Sequence, residues 1–455
     1  MTRSYRDLVA LGLARAMLAG PQQLAGLTAR VQHATGRTAA WTSALGLVGM
    51  QVAASAWPRL EPATLAALLL AEPGFNSAFA TSAPPELRGY ILRTGTQRPA
   101  PLGLHALDLP QWDTVGDLAR WLGIDIDVLD WLGGNAALRR KAALADQHYR
   151  WQWRSKPRGG IRLFEVPRWA LKTMQRRLNE GLLSRVPPHE AACGFTRGRG
   201  VLDHARLHAG QTVLLHFDLQ DFFGSVRASR IHAMFATLGY SPELCRTLTA
   251  LTTSRVPEPV LQRLRDDRLI DFQHAQRLRD PHLPQGAPTS PALANLCAFG
   301  LDLRLEGLAQ ALGARYSRYA DDLVLSGPRS LRTRALAIEA RIGAIAREEA
   351  FALQHRKTRI SGVAGAMKVC GVVVNTLPNL PRREFDLLKA QLHRCKRDGV
   401  AAAALAQATT VQALRAHLIG RVAWAKQVNP AKALRLQRQL DAGLGDSVVE
   451  PARPE

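Results

Sequence analysis

The chain has 455 residues, of which 47% are apolar and 21% are charged, and it carries a formal net charge of +23. The length allows two or three domains, and this composition indicates a globular, soluble protein rather than a disordered one. The excess of 60 Lys and Arg over 37 Asp and Glu favours a polyanionic partner such as nucleic acid, although an anionic membrane surface would also attract it.

Cysteine spacing and hydropathy indicate a cytoplasmic protein. The five cysteines are scattered without a CxxC pair, which is typical of reduced thiols and of a chain without a cysteine zinc site. The N-terminus is amphipathic and contains arginine, unlike a signal peptide, and residues 44–57 are too short and too weakly apolar to cross a bilayer. We therefore expect a cytoplasmic protein without a membrane partner.

Residues 1–92 are predicted to form a helical accessory region. Apolar residues recur there at helical spacing and are expected to line core faces: Leu8, Leu11, Leu18, Leu65, Leu68 and Leu69. Proline and glycine mark residues 93–112 as a linker. A helical lead-in over 113–147 follows, and Thr114 with Asp117 has the form of a capping box at its start.

A basic β-hairpin is predicted from residue 148 onward. Residues 149–153 alternate as in a strand, residues 156–160 form a turn, and residues 161–166 return as a second strand. Lys156 and Arg162 make this hairpin basic. It could neutralise charge that develops on phosphates, or it could merely touch a nucleic-acid strand.

A glycine-rich segment follows over residues 189–200. Its glycines allow close backbone approach, and Arg197 and Arg199 supply positive charge. Next, His204 and His208 stand at helical spacing and could ligate zinc, although no further ligands are visible in the sequence.

The middle of the chain contains one buried strand and one punctuated loop. Residues 212–217 are a short apolar run, which predicts a buried strand with Asp218 at its end. The charged residues 254–282 predict an insertion or an extended helix. Proline and glycine in residues 283–291 predict a loop that opens a helix over 291–305.

Residues 314–326 are predicted to form a second hairpin, with Asp321 and Asp322 at its turn. Two adjacent carboxylates repel each other unless a cation offsets their charge, and Mg²⁺ prefers such ligands together with phosphate oxygens. A solvated Asp-Asp turn is the alternative. Asp218 could supply a third carboxylate and the Leu219 carbonyl a further oxygen, which favours a two-metal site.

The remaining chain is predicted to be mainly helical. Residues 331–353 form a helix with Ile338, Ile342 and Ile345 on one face. Lys357 follows this helix, and residues 368–375 are predicted to be a strand. Residues 381–445 are predicted to be helical, and residues 446–455 a disordered tail.

Three of these stretches, in this order, resemble the palm motifs of reverse transcriptases: Asp218 after its strand, the Gln-Gly loop before Ser290-Pro291, and the Tyr-Ala-Asp-Asp turn. The resemblance implies an α+β right-hand polymerase with a helical N-terminal extension. It assigns fingers and palm to 148–380 and a thumb to 381–445. It also implies that Asp218, Asp321 and Asp322 hold two Mg²⁺ ions, with Mn²⁺ as a possible substitute, while the primer hydroxyl attacks the α-phosphate.

The same resemblance assigns nucleotide contacts. Lys156 and Arg162 would hold the triphosphate of the incoming dNTP. Phe223 would stand beneath the sugar and exclude a ribose 2′-hydroxyl, unless it is an ordinary core residue. Gln285 and Gly286 would lie near the nascent base pair.

Further residues acquire roles in the same way. Lys357 would protonate the pyrophosphate leaving group, or simply contact phosphate. The predicted nucleic-acid contacts are Arg197, Arg199, Tyr319 and Arg415. For the basic thumb residues a merely solvated face is the alternative.

Details of the sequence resemble the retron class of bacterial reverse transcriptases. Leu-Ala-Arg-Trp-Leu-Gly-Ile near residue 120 resembles the N-terminal helices of that class, and residues 368–375 resemble its primer grip. Two hallmarks differ. His204 replaces the asparagine of an NAxxH box, and Cys370 replaces the threonine of a Val-Thr-Gly segment.

We therefore predict an RNA-directed DNA polymerase of retron type that acts in antiphage defence. Its expected partners are a structured non-coding RNA that serves as template and primer, the DNA product, dNTPs and an effector protein. Two alternatives remain. One is a non-retron defence-associated reverse transcriptase, which the altered hallmarks would suit, and the other is a catalytically idle RNA-binding scaffold.

Overall fold

A computed structural model describes residues 4–57, 60–89, 107–133, 144, 147–156 and 160–444. Most of the predicted linker and the whole of the predicted tail lie outside the described residues. The chain forms two compact units. One consists of the described part of 1–136 together with Phe235–Ala250, and the other of the remaining described residues. Each unit has a hydrophobic core of its own.

The described elements combine helices and short antiparallel strands, so the fold is α+β as predicted. In chain order they are α1 (Tyr5–Leu18), α2 (Leu24–Thr35), α3 (Ala40–Gln51), α4 (Pro62–Leu70), α5 (Pro73–Phe79), α6 (Val115–Leu122), α7 (Ile126–Gly133), β1 (Tyr149–Ser155), β2 (Ile161–Pro167), α8 (Trp169–Gly181), α9 (Val201–Leu207), β3 (Val213–Asp218), α10 (Phe222–Ser225), α11 (Ala228–Thr237), α12 (Pro242–Thr252), α13 (Glu258–Asp266), α14 (Phe272–Arg279), α15 (Ser290–Cys297), α16 (Phe299–Ala311), β4 (Arg315–Tyr319), β5 (Asp322–Gly327), α17 (Ser330–Thr333), α18 (Ala335–Glu348), β6 (Arg359–Gly362), β7 (Lys368–Val369), β8 (Val372–Val373), α19 (Arg382–Asp398), α20 (Val400–Leu405), α21 (Val411–Val428) and α22 (Pro430–Leu444).

The first unit is helical, and residues from helices α1 to α5 form its core. Leu18, Leu65 and Leu69 are buried there, as predicted. Leu8 and Leu68 are 51% and 43% exposed, so their predicted burial is wrong. The reason is that each helix buries one stripe only, and these two side chains lie on the outer face. The predicted capping box at the start of α6 is confirmed.

The predicted basic hairpin is present in the second unit. β1 and β2 pair antiparallel, while residues 157–159 of its turn lie outside the described residues. Ile161 and Leu163 pack against apolar residues of α13 and α14. The charged residues 254–282 thus contain two short helices, α13 and α14, rather than one extended helix. The apolar faces of these helices cover the hairpin.

The four-stranded sheet, which corresponds to the predicted palm, has the strand order β4-β5-β3-β6, with every neighbouring pair antiparallel. The helix predicted over 291–305 is interrupted at Ala298 and forms α15 and α16. α18 buries Ile338, Ile342 and Ile345, as predicted. The end of β3 and the turn between β4 and β5 lie at the same end of this sheet.

Helices α19 to α22 pack together with β7 and β8 around one apolar core. The strand predicted over 368–375 is instead a tight hairpin. Cys370 and Gly371 form its turn with φ angles of 45° and 85°, and such left-handed angles reverse the chain. Every helix of the described residues is too short or too polar to cross a bilayer.

Candidate active site

Two adjacent strands bring the three predicted carboxylates to one end of the palm sheet. β3 and β5 pair with Asp218 opposite Asp322. The β4–β5 hairpin leaves Ala320 and Asp321 as its two-residue turn, and Ala320 has a φ of 57°, in the left-handed region that such turns require. The Leu219 N–H donates to the Asp321 carbonyl at 2.9 Å, which holds the turn beside the end of β3.

Residues 191–194 run alongside β4 and brace the turn from the other side. The Arg318 N–H donates to the Ala191 carbonyl at 2.8 Å, and the Cys193 N–H donates to the Arg318 carbonyl at 2.8 Å. A Cβ on Gly194 would lie 2.7 Å from the Ala320 nitrogen. Glycine is therefore required here, because any side chain would push the turn away.

A buried ion pair supports the turn from below. The Arg318 guanidinium donates to both carboxylate oxygens of Asp302, at 2.8 and 2.6 Å, and both side chains are 0% exposed. Arg318 also donates to Asn295 at 2.9 Å and to the Ala320 carbonyl at 3.1 Å, and the Tyr316 hydroxyl donates to Asp302 at 2.8 Å. Sequence reasoning missed this network. Its signals were an arginine within a short strand and an aspartate within the apolar start of α16.

Negative charge accumulates among the three carboxylates. Burial raises the pKa of Asp321, and the nearby charge of Asp218 raises it further. The Lys357 ammonium donates to both oxygens of Asp218, at 2.7 and 2.8 Å. The Lys357 ammonium thus lies against Asp218. One ammonium offsets only part of the negative charge of three carboxylates, and such a set of oxygen ligands fits a divalent ion such as Mg²⁺.

Lys357 reaches the site from a short 3₁₀ turn, residues His355–Lys357. The Gln354 N–H donates to the Asp218 carbonyl at 2.7 Å, which fixes the turn next to β3. The Lys357 side chain is 49% exposed, so it can leave Asp218 for another anion. His216, which sequence reasoning also missed, has Nδ1 3.3 Å from Oδ1 of Asp322.

Three aromatic rings lie side by side near the turn. The Phe223 and Phe195 ring centroids are 6.1 Å apart, and those of Phe195 and Tyr319 are 6.4 Å apart. Phe195 is 48% exposed and has a φ of 60°, which is uncommon for a side chain of this size. The sequence placed Phe223 and Tyr319 at the site, whereas Phe195 belongs to the predicted glycine-rich segment over residues 189–200 and was given no role of its own.

The Gln-Gly loop is joined to the basic hairpin. The Glu165 N–H donates to the Gln285 carbonyl at 2.9 Å. Gly286 has a φ of 130°, and a Cβ at this position would lie only 3.1 Å from the Glu165 carbonyl oxygen. The Glu165 carboxylate meets Nε2 of His282 at 2.8 Å, fully buried. Burial lowers the pKa of His282, but the charge and hydrogen bond of Glu165 outweigh it, so the pKa is raised.

The predicted basic contacts differ in exposure. Lys156, Arg162 and Arg197 are exposed, whereas Arg415 on α21 is half-buried. Arg199 is exposed, but its guanidinium donates to the Glu190 carbonyl within the same loop. The hairpin arginine and lysine therefore face solvent, where a phosphate can reach them.

The predicted histidine pair bonds serine hydroxyls instead of converging on a metal. His204 Nδ1 and His208 Nε2 both lie 2.7 Å from the Ser317 hydroxyl, and His208 Nδ1 lies 2.7 Å from that of Ser326. Burial lowers the pKa of His204 to about 4 and the pKa of His208 well below its usual value. Both rings are therefore neutral near pH 7.

Comparison with known proteins gives a consistent result. Residues 154–377 match the family described as reverse transcriptase (RNA-dependent DNA polymerase). The chain is 38% identical to the retron Mx65 reverse transcriptase of Myxococcus xanthus, over 73% of this chain and 72% of that protein. It is 32% identical to the retron Mx162 reverse transcriptase of the same organism, over 64% and 60%. It is 27% identical to the retron Ec86 reverse transcriptase of Escherichia coli, over 64% and 80%.

The matched family region contains all three carboxylates, the Gln-Gly loop and Lys357. Reverse transcriptases as a family use divalent metal ions, in agreement with the charge at this site. The identity of 38% extends over nearly three quarters of both chains. The chain therefore belongs to the retron reverse transcriptases and is an RNA-directed DNA polymerase.

Proposed function

We propose that this enzyme copies a structured non-coding RNA into DNA by two-metal nucleotidyl transfer. The observation that carries the proposal is the meeting of Asp218 and Asp322 across paired strands, with Asp321 in the adjoining turn and an ammonium group on Asp218. Three such carboxylates need positive charge between them. Oxygen ligands suit Mg²⁺, with Mn²⁺ as a substitute.

Two bound ions would activate the primer 3′-hydroxyl and neutralise the triphosphate. The protein's part is to hold them: Asp218 from β3, Asp321 and Asp322 from the β4–β5 hairpin, and the Leu219 carbonyl as a further oxygen. The 3′-hydroxyl would lose its proton to water, and its oxygen would bond to the α-phosphorus while the bond from that phosphorus to pyrophosphate breaks. Lys357 then moves from Asp218 to the pyrophosphate and gives it a proton or a charge contact.

Other residues select and hold the nucleotide. The Phe223 ring would lie beneath the sugar, so that a ribose 2′-hydroxyl clashes with it. Gln285 and Gly286 would support the nascent base pair. Lys156 and Arg162 would close on the triphosphate from the exposed face of their hairpin.

The template and product would follow the basic surface of the same unit. Arg197, Arg199, Tyr319 and Arg415 are the proposed contacts, and phosphate neutralisation by arginine supplies the affinity. A structured non-coding RNA as template and primer, an effector protein and a role in antiphage defence complete the proposal. These last three rest on membership of the retron family alone.

The nucleic acid that co-purifies with the enzyme from its native locus tests the proposal. We expect a short DNA joined to a structured RNA, absent from the Asp321→Asn/Asp322→Asn double variant. RNA without such DNA in the wild type would contradict copying of a non-coding RNA. It would favour a silent scaffold or an enzyme with another template.

Primer extension tests the carboxylates. Asp218→Asn should slow extension by about a thousandfold or more, roughly 4 kcal/mol of transition-state stabilisation. Asp221→Asn is the matched control, because Asp221 pairs with Arg277 at 3.4 Å and has a φ of 45° that asparagine tolerates. Losing that half-exposed pair costs about 1 kcal/mol or less, so its rate should stay within about fivefold. Equal rates for the two variants would remove Asp218 from the mechanism.

A further inference from the structure

The two residues that depart from the retron hallmarks meet in space. A ring nitrogen of His204, Sγ of Cys370 and a carboxylate oxygen of Asp322 all lie within 4.8 Å of one another. Among the residues that the structure describes, this is the one group of three or more histidine, cysteine or acidic side chains with metal-ligand spacing. The sequence separates His204 from Cys370 by most of the palm, so their proximity was not visible in it.

The His204 ring is oriented as a metal ligand requires. Its Nδ1 lies 2.7 Å from the Ser317 hydroxyl, whereas its Nε2 is buried without a hydrogen-bond partner among the described residues. An unpaired buried nitrogen is costly unless a ligand satisfies it. If Nδ1–H donates to Ser317, the Ser317 hydroxyl can donate to His208, and His208 can donate to Ser326. This chain of donors leaves the Nε2 lone pair of His204 free for a cation.

Cys370 is held in place by its turn. Its φ of 45° is in the left-handed region, and Gly371 continues the reversal with a φ of 85°. The hairpin is tied to β3, because Nε2 of His216 lies 2.7 Å from the Lys368 carbonyl. Sγ of Cys370 lies 3.8 Å from Oδ2 of Asp322. The turn at Gly371 and the contact of Lys368 with β3 thus fix the backbone on either side of Cys370, and the Cys370 thiol faces the Asp322 carboxylate.

One nitrogen, one sulfur and one oxygen ligand suit zinc rather than magnesium. Zinc takes thiolate, imidazole and carboxylate ligands at about 2.0–2.3 Å, which places tetrahedral ligands about 3.3–3.8 Å from one another. The three atoms lie within 4.8 Å of one another, so their separations need to close by about 1.5 Å at most. Three protein ligands leave a fourth position for water. Mg²⁺ binds oxygen and disfavours such a set.

We propose that His204, Cys370 and Asp322 form a zinc site beside the catalytic doublet, and that zinc bound there inhibits the enzyme. Binding follows from the three ligands alone. Inhibition rests on the proposed function, because zinc would withdraw Asp322 from the catalytic ions. Zinc binds the thiolate form of cysteine, so it displaces the thiol proton of Cys370 as it binds.

Cobalt titration of the full-length, chelator-treated enzyme tests binding. Co²⁺ at this site should produce a thiolate-to-metal charge-transfer band that saturates at one equivalent and is abolished by Zn²⁺. His204→Asn and Cys370→Thr introduce the family residues and should each weaken binding at least about tenfold. Cys395→Ala removes another buried thiol, on α19, and should leave the band unchanged. Thermal unfolding shows that each variant is folded.

A folded wild type without the band, or an equal loss in Cys395→Ala, would overturn the site. Inhibition is measured as the zinc concentration that halves the rate of primer extension at saturating Mg²⁺. The rate of each enzyme is compared with its own rate without zinc. This concentration should rise at least about tenfold in His204→Asn and in Cys370→Thr. Equal values in wild type and variants would overturn inhibition. The band in an enzyme without primer extension would support the zinc site and contradict the proposed function.

Discussion

The buried ion pair beneath the β4–β5 turn offers a sharp test of the architecture. Asp302→Asn removes one charge of a fully buried ion pair and leaves the guanidinium of Arg318 uncompensated. Both carboxylate oxygens accept from Arg318 at 2.6–2.8 Å, and one also accepts from Tyr316. Breaking such a pair costs about 3–5 kcal/mol, because the desolvated charge that remains has lost its partner.

Differential scanning calorimetry measures this loss. One kcal/mol corresponds to a Tm change of about 2–4 °C in units of 150–250 residues and to roughly 1.5 °C in the larger second unit, because the entropy of unfolding grows with chain length. The transition of the second unit should therefore fall by roughly 5–8 °C in Asp302→Asn. Primer extension should fall with it at constant temperature, since Arg318 also holds the Ala320 carbonyl of the turn.

A matched control lies on the same helix. Arg304 pairs with Glu348 and Glu349, and its side chain is 39% exposed. Arg304→Ala should lower the Tm far less than Asp302→Asn does, because exposed ion pairs contribute little to stability. The double variant Asp302→Leu/Arg318→Met removes both charges and should recover part of the loss. If Asp302→Asn lowers Tm no more than Arg304→Ala does, the buried pair does not support the turn.

Two further predictions concern the nucleotide side of the site. Phe223→Ala should raise the ratio of rNTP to dNTP incorporation, measured as kcat/KM, by about 10–100-fold, roughly 1.4–2.8 kcal/mol. Phe222→Leu, which alters the neighbouring buried ring, is its control, and an equal rise there would contradict the gate. The second prediction concerns pH. The folded chain holds the pKa of His282 above its ordinary value of 6.5, so its pair with Glu165 stabilises fully below pH 6.5 and loses this contribution as the pH rises through the raised pKa. Over that window the Tm of the wild type should decline more steeply than that of His282→Gln, and parallel curves would refute the assignment.

Local patterns in the sequence determined the elements that carry the proposed catalytic carboxylates. An apolar run followed by Asp218, and a hairpin with Asp321 and Asp322 at its turn, predicted one site from two separate stretches. The strand and the hairpin are confirmed, because strand periodicity and turn chemistry act over a few residues. Helix faces were predicted less well. Leu8 and Leu68 fit an apolar spacing, yet the buried stripe of each helix passes beside them.

Tertiary structure alone decided which distant side chains meet. Lys357 reaches Asp218, Arg318 reaches Asp302, and His204 reaches the thiol of Cys370 only after β3, β4, β5 and the β7–β8 hairpin have assembled. Periodicity shows which face a residue occupies, but strand register and packing select its partner, and neither is encoded within one short segment. The two residues that the sequence presented as separate departures from the retron hallmarks are thus, in three dimensions, neighbours of one carboxylate, that of Asp322.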